Sequence, residues 1–397
     1  MDKDFDFNKE YGVVLEGGGA KGAYQIGVWK AFIECGVKIK VVSGVSVGAL
    51  NGALMCMGNY EDAENLWSNL TYSDIMSVND EQMDKLMSRN LKDLNIKEIT
   101  KDASKVISDG GIDITPLRNL IDTWVDEEKI KNSEIEFIMG TFLVSKLKEV
   151  EISAKEAESS YLKDYLLASA YLPAFRNEKL HGKKYLDGGM FNNVPVDMLI
   201  NRGYKDIIVV RIYGIGLEKP VKIPKDVNII QIAPRIDLGG ILEFNTDKIR
   251  RNINIGYYDG LRCLKSLKGK IYYIESDMTE ERCAECFVNV AEAVKMAFLE
   301  YYKLDYLNTK LLTRRFLEQV CSNLATSLRL GKEWTYLDLY ISLVELCAKS
   351  LQIPKYKVYT VNQMLNMIQE RYYRMMKKGY RFPLFHELVL KMITIHE

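Results

Sequence analysis

Short apolar runs alternate with helical patterns along the first part of the chain. Residues 11–15 predict a buried strand, 23–34 a helix, 37–42 a second strand and 49–57 an apolar helix. The order strand, helix, strand, helix is typical of a parallel sheet with helices on its faces. The pattern therefore predicts an α/β fold.

Later apolar runs predict that the same sheet continues well beyond these elements. The predicted strands are 136–144, 149–153, 184–186, 206–213, 227–232 and 271–274. Residues 60–134 are more polar and helical in pattern, and we expect this stretch to cover the mouth of a pocket. Within it, Thr115 and Pro116 predict a helix start, with Thr115 as the cap.

From about residue 280 the pattern is helical to the end of the chain. Apolar residues recur three and four positions apart from Tyr336 to Leu351, and Pro354 interrupts them. A further helix is predicted over 360–378 and ends at Gly379. We therefore predict an α/β domain over residues 8–300 and an all-helical extension over residues 301–397.

The charge balance and the apolar pattern limit the classes of partner. The 54 Lys and Arg residues equal the 54 Asp and Glu residues, so no net field attracts nucleic acid, and we expect no such partner. The N-terminus is acidic and lacks the apolar core of a signal peptide. No stretch approaches the ~18 uninterrupted apolar residues that indicate a membrane-spanning helix. We expect a soluble, cytoplasmic protein.

The cysteines do not suggest a disulfide framework. There are seven of them, an odd number scattered among predicted helices, so reduced thiols are expected. Cys283 and Cys286 form a CxxC pair, for which a zinc or redox role and a role as helical core thiols are the two hypotheses. A structural zinc site needs four ligands, and the chain has no second pair. We favour the core and expect no metal.

A glycine-rich loop follows the first predicted strand. Gly17, Gly19 and Gly22 fit GxGxxG in the context of a dinucleotide site. That site also needs an acidic residue at the end of the second strand, where residues 42–44 are Val-Ser-Gly. Lys21 is not followed by Ser or Thr, as a phosphate-binding P-loop requires. The remaining hypothesis is a set of backbone amides that converge on an oxyanion near a helix N-terminus.

A serine lies at the predicted junction between the second strand and the following helix. Gly44 and Gly48 flank Ser46 in a GxSxG pattern, which holds a serine on a sharp turn with its hydroxyl projecting from the sheet edge. An ordinary strand-to-helix turn gives the same pattern. Because the glycine loop lies one strand and one helix earlier, we predict that Ser46 is a nucleophile.

A serine hydroxyl needs a base to become a nucleophile. The three histidines are His181, in a polar turn, and His386 and His396, in the last dozen residues. Each is better explained as a surface residue, although a histidine triad stays an alternative. Asp187 follows a short predicted strand and precedes two glycines, where open sheets place ligands. The competing interpretation is a simple Asp-Gly turn.

Together these motifs resemble those of the patatin-like phospholipase family. The likeness covers about residues 11–275 and includes the block 168–175 and the run Asn-Asn-Val-Pro at 192–195. It implies a three-layer α/β/α fold with a central, mostly parallel sheet, and hydrolysis of lipid acyl esters by a Ser-Asp dyad without histidine, metal or cofactor. The residues that the resemblance assigns are the nucleophile Ser46, the base Asp187 and the oxyanion donors Gly17, Gly18 and Gly19. The residues that support the motifs are Lys21, Gly22, Gly44, Gly48, Gly188 and Gly189.

The sequence leaves the substrate open. Lys21 stands where many members of the family have arginine, and Glu16 where they often have another residue. An esterase or thioesterase that acts on soluble acyl compounds would carry the same motifs, because pocket walls select the acyl chain. A lipid-binding or partner-binding module without turnover is a further alternative.

Contact with a lipid surface is expected to be peripheral. Residues 360–381 form a basic amphipathic pattern that suits a helix on anionic lipid. We favour the other hypothesis, in which its apolar stripe packs on the hydrolase body. The expected partners are a phospholipid or other acyl-lipid substrate and a membrane surface, and the oligomeric state stays open.

Overall fold

The computed structural model describes residues 5–87, 110–158, 160–304 and 311–394. The chain divides into two compact units, residues 3–264 and 265–397. The boundary therefore lies at Leu264, not at residue 300 as predicted. Residues 265–300 belong to the second unit because Tyr272, Phe287 and Phe298 are buried in its apolar core.

The first unit is built on a seven-stranded sheet. Its strands are β1 (Glu10–Leu15), β2 (Lys38–Val45), β3 (Glu136–Leu143), β4 (Lys148–Ser153), β5 (Tyr185–Asp187), β6 (Asp206–Val210) and β7 (Asn228–Ile232). The order is β4-β3-β2-β1-β6-β7, and β5 also pairs with β3. The pairs that involve β4 and β5 are antiparallel and the others are parallel. The central strands are buried on both faces, which explains their continuous apolar runs.

Helices lie on both faces of this sheet. They are α1 (Ala23–Cys35), α2 (Val47–Met57), α3 (Tyr60–Asn69), α4 (Asp80–Met87), α5 (Thr115–Trp124), α6 (Glu127–Lys131), α7 (Leu162–Ser169), α8 (Val196–Ile200) and α9 (Thr246–Leu264). Helices α1 and α9 pack against each other. Met198 and Leu199 of α8 form one apolar cluster with Val14, Ile138 and Ile207 of the sheet. The predicted mostly parallel sheet between helical layers is confirmed.

Two local predictions about strands and helix starts are wrong. The run 271–274 does not extend the main sheet, because β8 (Tyr273–Glu275) pairs with β9 (Val358–Thr360) inside the second unit. Thr115 is not the cap of α5 but its first residue, and the cap position is Ile114. Asp113 accepts hydrogen bonds from both the amide and the hydroxyl of Thr115, at 2.9 and 2.7 Å.

In the described residues of the second unit the regular elements are helices apart from β8 and β9, so the extension is not entirely helical as predicted. Its helices are α10 (Glu280–Val288), α11 (Glu292–Tyr301), α12 (Leu312–Arg315), a π-helical turn (Phe316–Val320), α13 (Cys321–Ser327), α14 (Tyr336–Ser350), α15 (Val361–Lys377) and α16 (Leu384–Thr394). The apolar stripe of α15, with Met364, Ile368 and Tyr372, is buried in the core of this unit. The stripe therefore packs inside its own unit, and these buried side chains are not available to lie on lipid.

The thiols of the CxxC pair belong to this helical core. Cys283 is fully buried and Cys286 is half-buried, and both are free. Burial raises the pKa of Cys283 to about 12, whereas thiols that bind metal or exchange disulfides have a lowered pKa. In the described part of the chain, no three His, Cys, Asp or Glu side chains are grouped so that they could hold a metal ion. None of the described helices is both long and apolar enough for a membrane span.

Glu345 ties the start of the second unit to α14. This side chain is 3% exposed and accepts hydrogen bonds from the amides of Lys270, Ile271 and Tyr272, at 2.9, 2.7 and 2.7 Å. Replacing Glu345 by alanine should lower the free energy of unfolding by about 3 kcal/mol, because three amides lose their acceptor. Urea unfolding of the full chain measures this. The exposed Glu333→Ala is the control, and an equal effect of the two substitutions would contradict the prediction.

Candidate active site

Ser46 lies on a sharp turn between β2 and α2. Its backbone has φ 54° and ψ −130°, in a left-handed region that non-glycine residues rarely adopt. Such strain in a strand-to-helix turn is typical of a nucleophile elbow. The side chain is 7% exposed.

The flanking glycines allow the turn to pack closely. A Cβ at Gly44 would collide with the backbone of Gly48, and a Cβ at Gly48 would collide with the carbonyl oxygen of Leu15. A side chain at Gly44 would force the two arms of the elbow apart, and one at Gly48 would push the elbow away from β1. This close approach places Ser46 next to the loop that follows β1, where Gly17 lies against the Ser46 side chain.

The hydroxyl of Ser46 donates a hydrogen bond to the carboxylate of Asp187, with 2.6 Å between Oγ and Oδ2. The pairing of β3 explains how residues so far apart in sequence meet. Val45 pairs with Gly140, and the next residue of β3, Thr141, pairs with Asp187. Because β4 pairs with one edge of β3, both β2 and β5 pair with the other edge, one after the other. The last residue of β5, Asp187, therefore faces the end of β2.

The carboxylate of Asp187 is buried and held in a fixed orientation. Its side chain is 2% exposed, and Oδ1 accepts a hydrogen bond of 2.7 Å from the Gly189 amide. Burial raises the pKa of Asp187 to about 6, and the hydrogen bonds from Ser46 and Gly189 limit this rise. Gly188 packs against the carbonyl oxygen of Gly140, where a Cβ would not fit. A base with this pKa is stronger than an exposed aspartate.

The glycine loop presents two of its three amides without an internal acceptor. The Gly17 amide donates to the carbonyl oxygen of Asn193 at 3.3 Å, and the Asn193 side chain donates back to Gly17 at 3.1 Å. Within the described residues, the amides of Gly18 and Gly19 have no acceptor. Gly19 and Ser46 line the same pocket. Of the predicted trio of oxyanion donors, Gly17 therefore has its amide engaged within the protein, and the amides of Gly18 and Gly19 are free to meet a ligand.

The two other supporting residues of this loop have structural contacts. The Lys21 ammonium group donates to the carbonyl oxygen of Tyr213 at 2.7 Å. Gly22 precedes α1, and its carbonyl oxygen accepts a hydrogen bond of 3.0 Å from Asn51.

Two buried side chains near the site were not predicted from the sequence as site residues. Ser169 accepts a hydrogen bond from the Ser46 amide at 2.8 Å and donates to Gly140 at 2.6 Å, so it fixes the elbow to β3. The Glu16 carboxylate accepts hydrogen bonds from the amides of residues 212–214 and from Arg211. Glu16 thus joins the glycine loop to the segment after β6. Of these two residues, only Ser169 had a signal in the sequence, because it lies in the block 168–175 that resembles the family.

The histidines do not form a triad with Ser46 in the described structure. His181 Nε2 lies 2.8 Å from Asp164 Oδ2, and its ring stacks on Tyr161. Its interactions are therefore with the surface of the first unit, as predicted. His386 lies on α16 in the second unit, and His396 lies outside the described residues.

An apolar pocket opens beside Ser46. Its wall is formed by α2, α3, α5 and the segments around residues 175 and 243, and consists mainly of the side chains of Leu50, Leu54, Leu66, Trp67, Leu117, Leu120, Ile121, Trp124, Phe175, Leu242 and Phe244. Asn51 also lines it, but its amide group is bonded to Gly22, Gln25 and Trp67. The expectation that residues 60–134 cover a pocket is confirmed for α3 and α5. A hydrocarbon chain fits such a wall better than a polar ligand.

Comparison with known proteins identifies the family of this site. Residues 13–200 match the family model described as patatin-like phospholipase. The first unit carries a patatin-like phospholipase domain. That match includes the elbow, the glycine loop and Asp187 of the patatin-like domain.

The patatin-like domain is similar to parts of much longer proteins. Neuropathy target esterase sws of Drosophila melanogaster is 29% identical over 206 residues, which cover 50% of this chain and 12% of that protein. Patatin-like phospholipase domain-containing protein 7 of Rattus norvegicus is 27% identical over 203 residues, covering 50% and 13%. Among solved structures, VipD from Legionella pneumophila aligns with a TM-score of 0.41 and 14% identity over 96% of this chain and 83% of that one.

Proposed function

We propose that this chain hydrolyses the carboxylic esters of lipids, with Ser46 as nucleophile and Asp187 as its base. The observation that carries the proposal is the 2.6 Å hydrogen bond from the Ser46 hydroxyl, on a strained backbone turn, to a buried carboxylate. The apolar pocket beside it supports an acyl substrate. The family match and the word esterase in the name of the Drosophila relative support ester hydrolysis.

The proposed reaction begins with transfer of the Ser46 proton to Asp187 Oδ2. The Oγ atom attacks the ester carbonyl, and the amides of Gly18 and Gly19 stabilise the oxyanion by about 3 kcal/mol each. When the C–O bond breaks, the leaving alkoxide takes the proton from Asp187. Water then attacks the acyl-enzyme while Asp187 accepts its proton, and Ser46 regains a proton as the fatty acid leaves.

A comparison of substrates tests this proposal. The purified full chain is assayed with a phospholipid, a glyceride and a soluble short-chain ester and thioester, beside Ser46→Ala as the control for contaminating hydrolases. We expect acyl-lipid hydrolysis that Ser46→Ala lacks. Turnover of the soluble compounds alone would favour the esterase or thioesterase alternative. Absence of turnover with every substrate would favour a lipid- or partner-binding module.

The pH profile should report the buried carboxylate. Only ionised Asp187 accepts a proton, so activity is present above its pKa of about 6 and is lost as the pH falls through that value. Below it, kcat/KM should fall about tenfold per pH unit. An exposed aspartate would instead give a pH profile with its midpoint at about pH 4. Loss of this midpoint from the pH profile of His181→Ala would contradict the assignment of Asp187 as the base.

A further inference from the structure

The segment after β6 forms part of the rim of the candidate active site. We name residues 212–217 the rim loop. The strands β1, β2 and β6 are parallel neighbours, so the glycine loop, Ser46 and the rim loop all follow the same edge of the sheet. Gly214 lies against Gly17 and Gly18, and Gly216 lies against Gly189 and Asn193, too close in each case for a Cβ.

Three large apolar side chains of the rim loop are exposed. Tyr213, Ile215 and Leu217 are 51%, 74% and 64% exposed, and none of them is among the side chains that line the apolar pocket. Apolar side chains clustered at this density beside a site often mark an interaction surface. The Tyr213 ring has a partner within the unit, because the Arg211 guanidinium carbon lies 5.3 Å from the ring centre, whereas Ile215 and Leu217 are the most exposed of the three.

The backbone holds these side chains in place. The Leu217 amide donates to Gly189 at 3.1 Å, and the Asn193 amide donates to the Leu217 carbonyl oxygen at 2.7 Å. At the other end of the loop, the amides of residues 212–214 donate to Glu16. Because the loop is already held in place, no conformational entropy has to be lost to order it when it binds.

The charged groups next to the rim loop are of both signs. The Lys21 ammonium group, which donates to the Tyr213 carbonyl oxygen, has no carboxylate within 4 Å among the described residues. Arg211 pairs with Glu16 and Glu218. Lys219 pairs with Glu149 and Asp197, at 3.2 and 2.6 Å. With Lys21, three basic groups face four carboxylates, so neither sign dominates around the loop. A strongly charged partner therefore has little to recognise there, whereas a surface of zwitterionic lipid suits apolar side chains among nearly balanced charges.

We propose that the rim loop inserts Ile215 and Leu217 into a zwitterionic lipid surface and so brings the mouth of the active site to the bilayer. The inference rests on the proposed function, because a lipid ester must leave the bilayer to reach Ser46. Binding depends on apolar insertion rather than on a charge field, so it changes little with ionic strength.

Binding to phosphatidylcholine vesicles tests this surface. The full chain carries Ser46→Ala so that no lipid is consumed, and co-sedimentation gives the partition coefficient at low and high salt. Removing two exposed aliphatic side chains by Ile215→Ser with Leu217→Ser should lower partitioning on the order of tenfold. The matched control is Ile33→Ser, which is 51% exposed near the end of α1, at the opposite edge of the sheet, and should bind as before.

Other outcomes would overturn the proposal. These are equal partitioning of the double variant, or binding that requires anionic lipid and is lost at high salt. A dimer that becomes a monomer in the double variant would assign the surface to a second copy of this chain. In addition, Ile215→Trp should bind more tightly, because tryptophan favours the membrane interface, and unchanged binding would count against insertion. None of these readouts needs turnover, so the hydrolase proposal can fail separately, in the substrate assay.

Discussion

Replacing Asp187 by asparagine should lower turnover of an acyl ester on the order of 10² to 10⁴-fold, the usual contribution of a general base. The amide keeps the size of the side chain but cannot accept the Ser46 proton as a carboxylate does. Ser46→Ala, which lacks the attacking oxygen, should fall to the uncatalysed background. Both variants are measured as kcat/KM on a fluorogenic fatty-acyl ester.

His181→Ala is the matched control for this prediction. His181 and Asp164 form a histidine-aspartate pair, with 2.8 Å between Nε2 and Oδ2. If a histidine activated the serine, His181 would be the candidate in the first unit. We expect His181→Ala to keep wild-type turnover, and loss of activity in this variant with full activity in Asp187→Asn would contradict the dyad.

Replacing Leu120 by tryptophan should shorten the acyl chain that the pocket accepts. Leu120 lies on α5, lines the pocket and is half-buried, so the larger ring has room to be accommodated without overpacking the core. We expect the tryptophan ring to exclude about four methylene groups of the acyl chain from the pocket, each of which contributes about 0.8 kcal/mol when buried. This loss should lower kcat/KM for a long-chain ester on the order of 100-fold.

A butyryl ester and Leu120→Ala are the controls for the pocket. The butyryl chain needs little of the pocket, so Leu120→Trp should hydrolyse it at nearly the wild-type rate. Leu120→Ala widens the wall and should keep long-chain turnover. An equal loss on short and long chains in Leu120→Trp would show that the substitution damages the site, and the pocket would not then be the acyl-chain site.

The fold of the first unit could be predicted from the sequence because its central strands are buried on both faces. Such strands give continuous apolar runs, as in β1 and β6, and the glycines between strand and helix mark the turns. The run 271–274 looked the same but belongs to a different sheet. A short apolar run carries no information about which strand it pairs with, so the domain boundary was placed too late.

The two reacting groups of the proposed dyad could be picked out by local pattern. Ser46 and Asp187 each stand beside glycines at the end of a strand. The contact between them depends on the register of β3, which pairs with Val45 and Asp187 at adjacent residues. That register was not readable from the sequence, and only the resemblance to the family joined the two motifs.

The supporting residues could not be predicted for the same reason. Glu16 and the amides of residues 212–214 are almost 200 residues apart and meet only because β1 pairs with β6. The engagement of the Gly17 amide by Asn193 likewise depends on tertiary contact. The stripe of α15 had the composition of a lipid-binding helix, but burial in the second unit gives it a structural role.

The most direct test of the central claim is covalent labelling with a fluorophosphonate, followed by mass spectrometry of the labelled peptide. Activation of Ser46 by the buried Asp187 predicts a single adduct at Ser46 in the wild type and in His181→Ala. The labelling rate should be lower by on the order of 10²-fold or more in Asp187→Asn. An adduct at another residue, or an equal rate in Asp187→Asn, would contradict the claim.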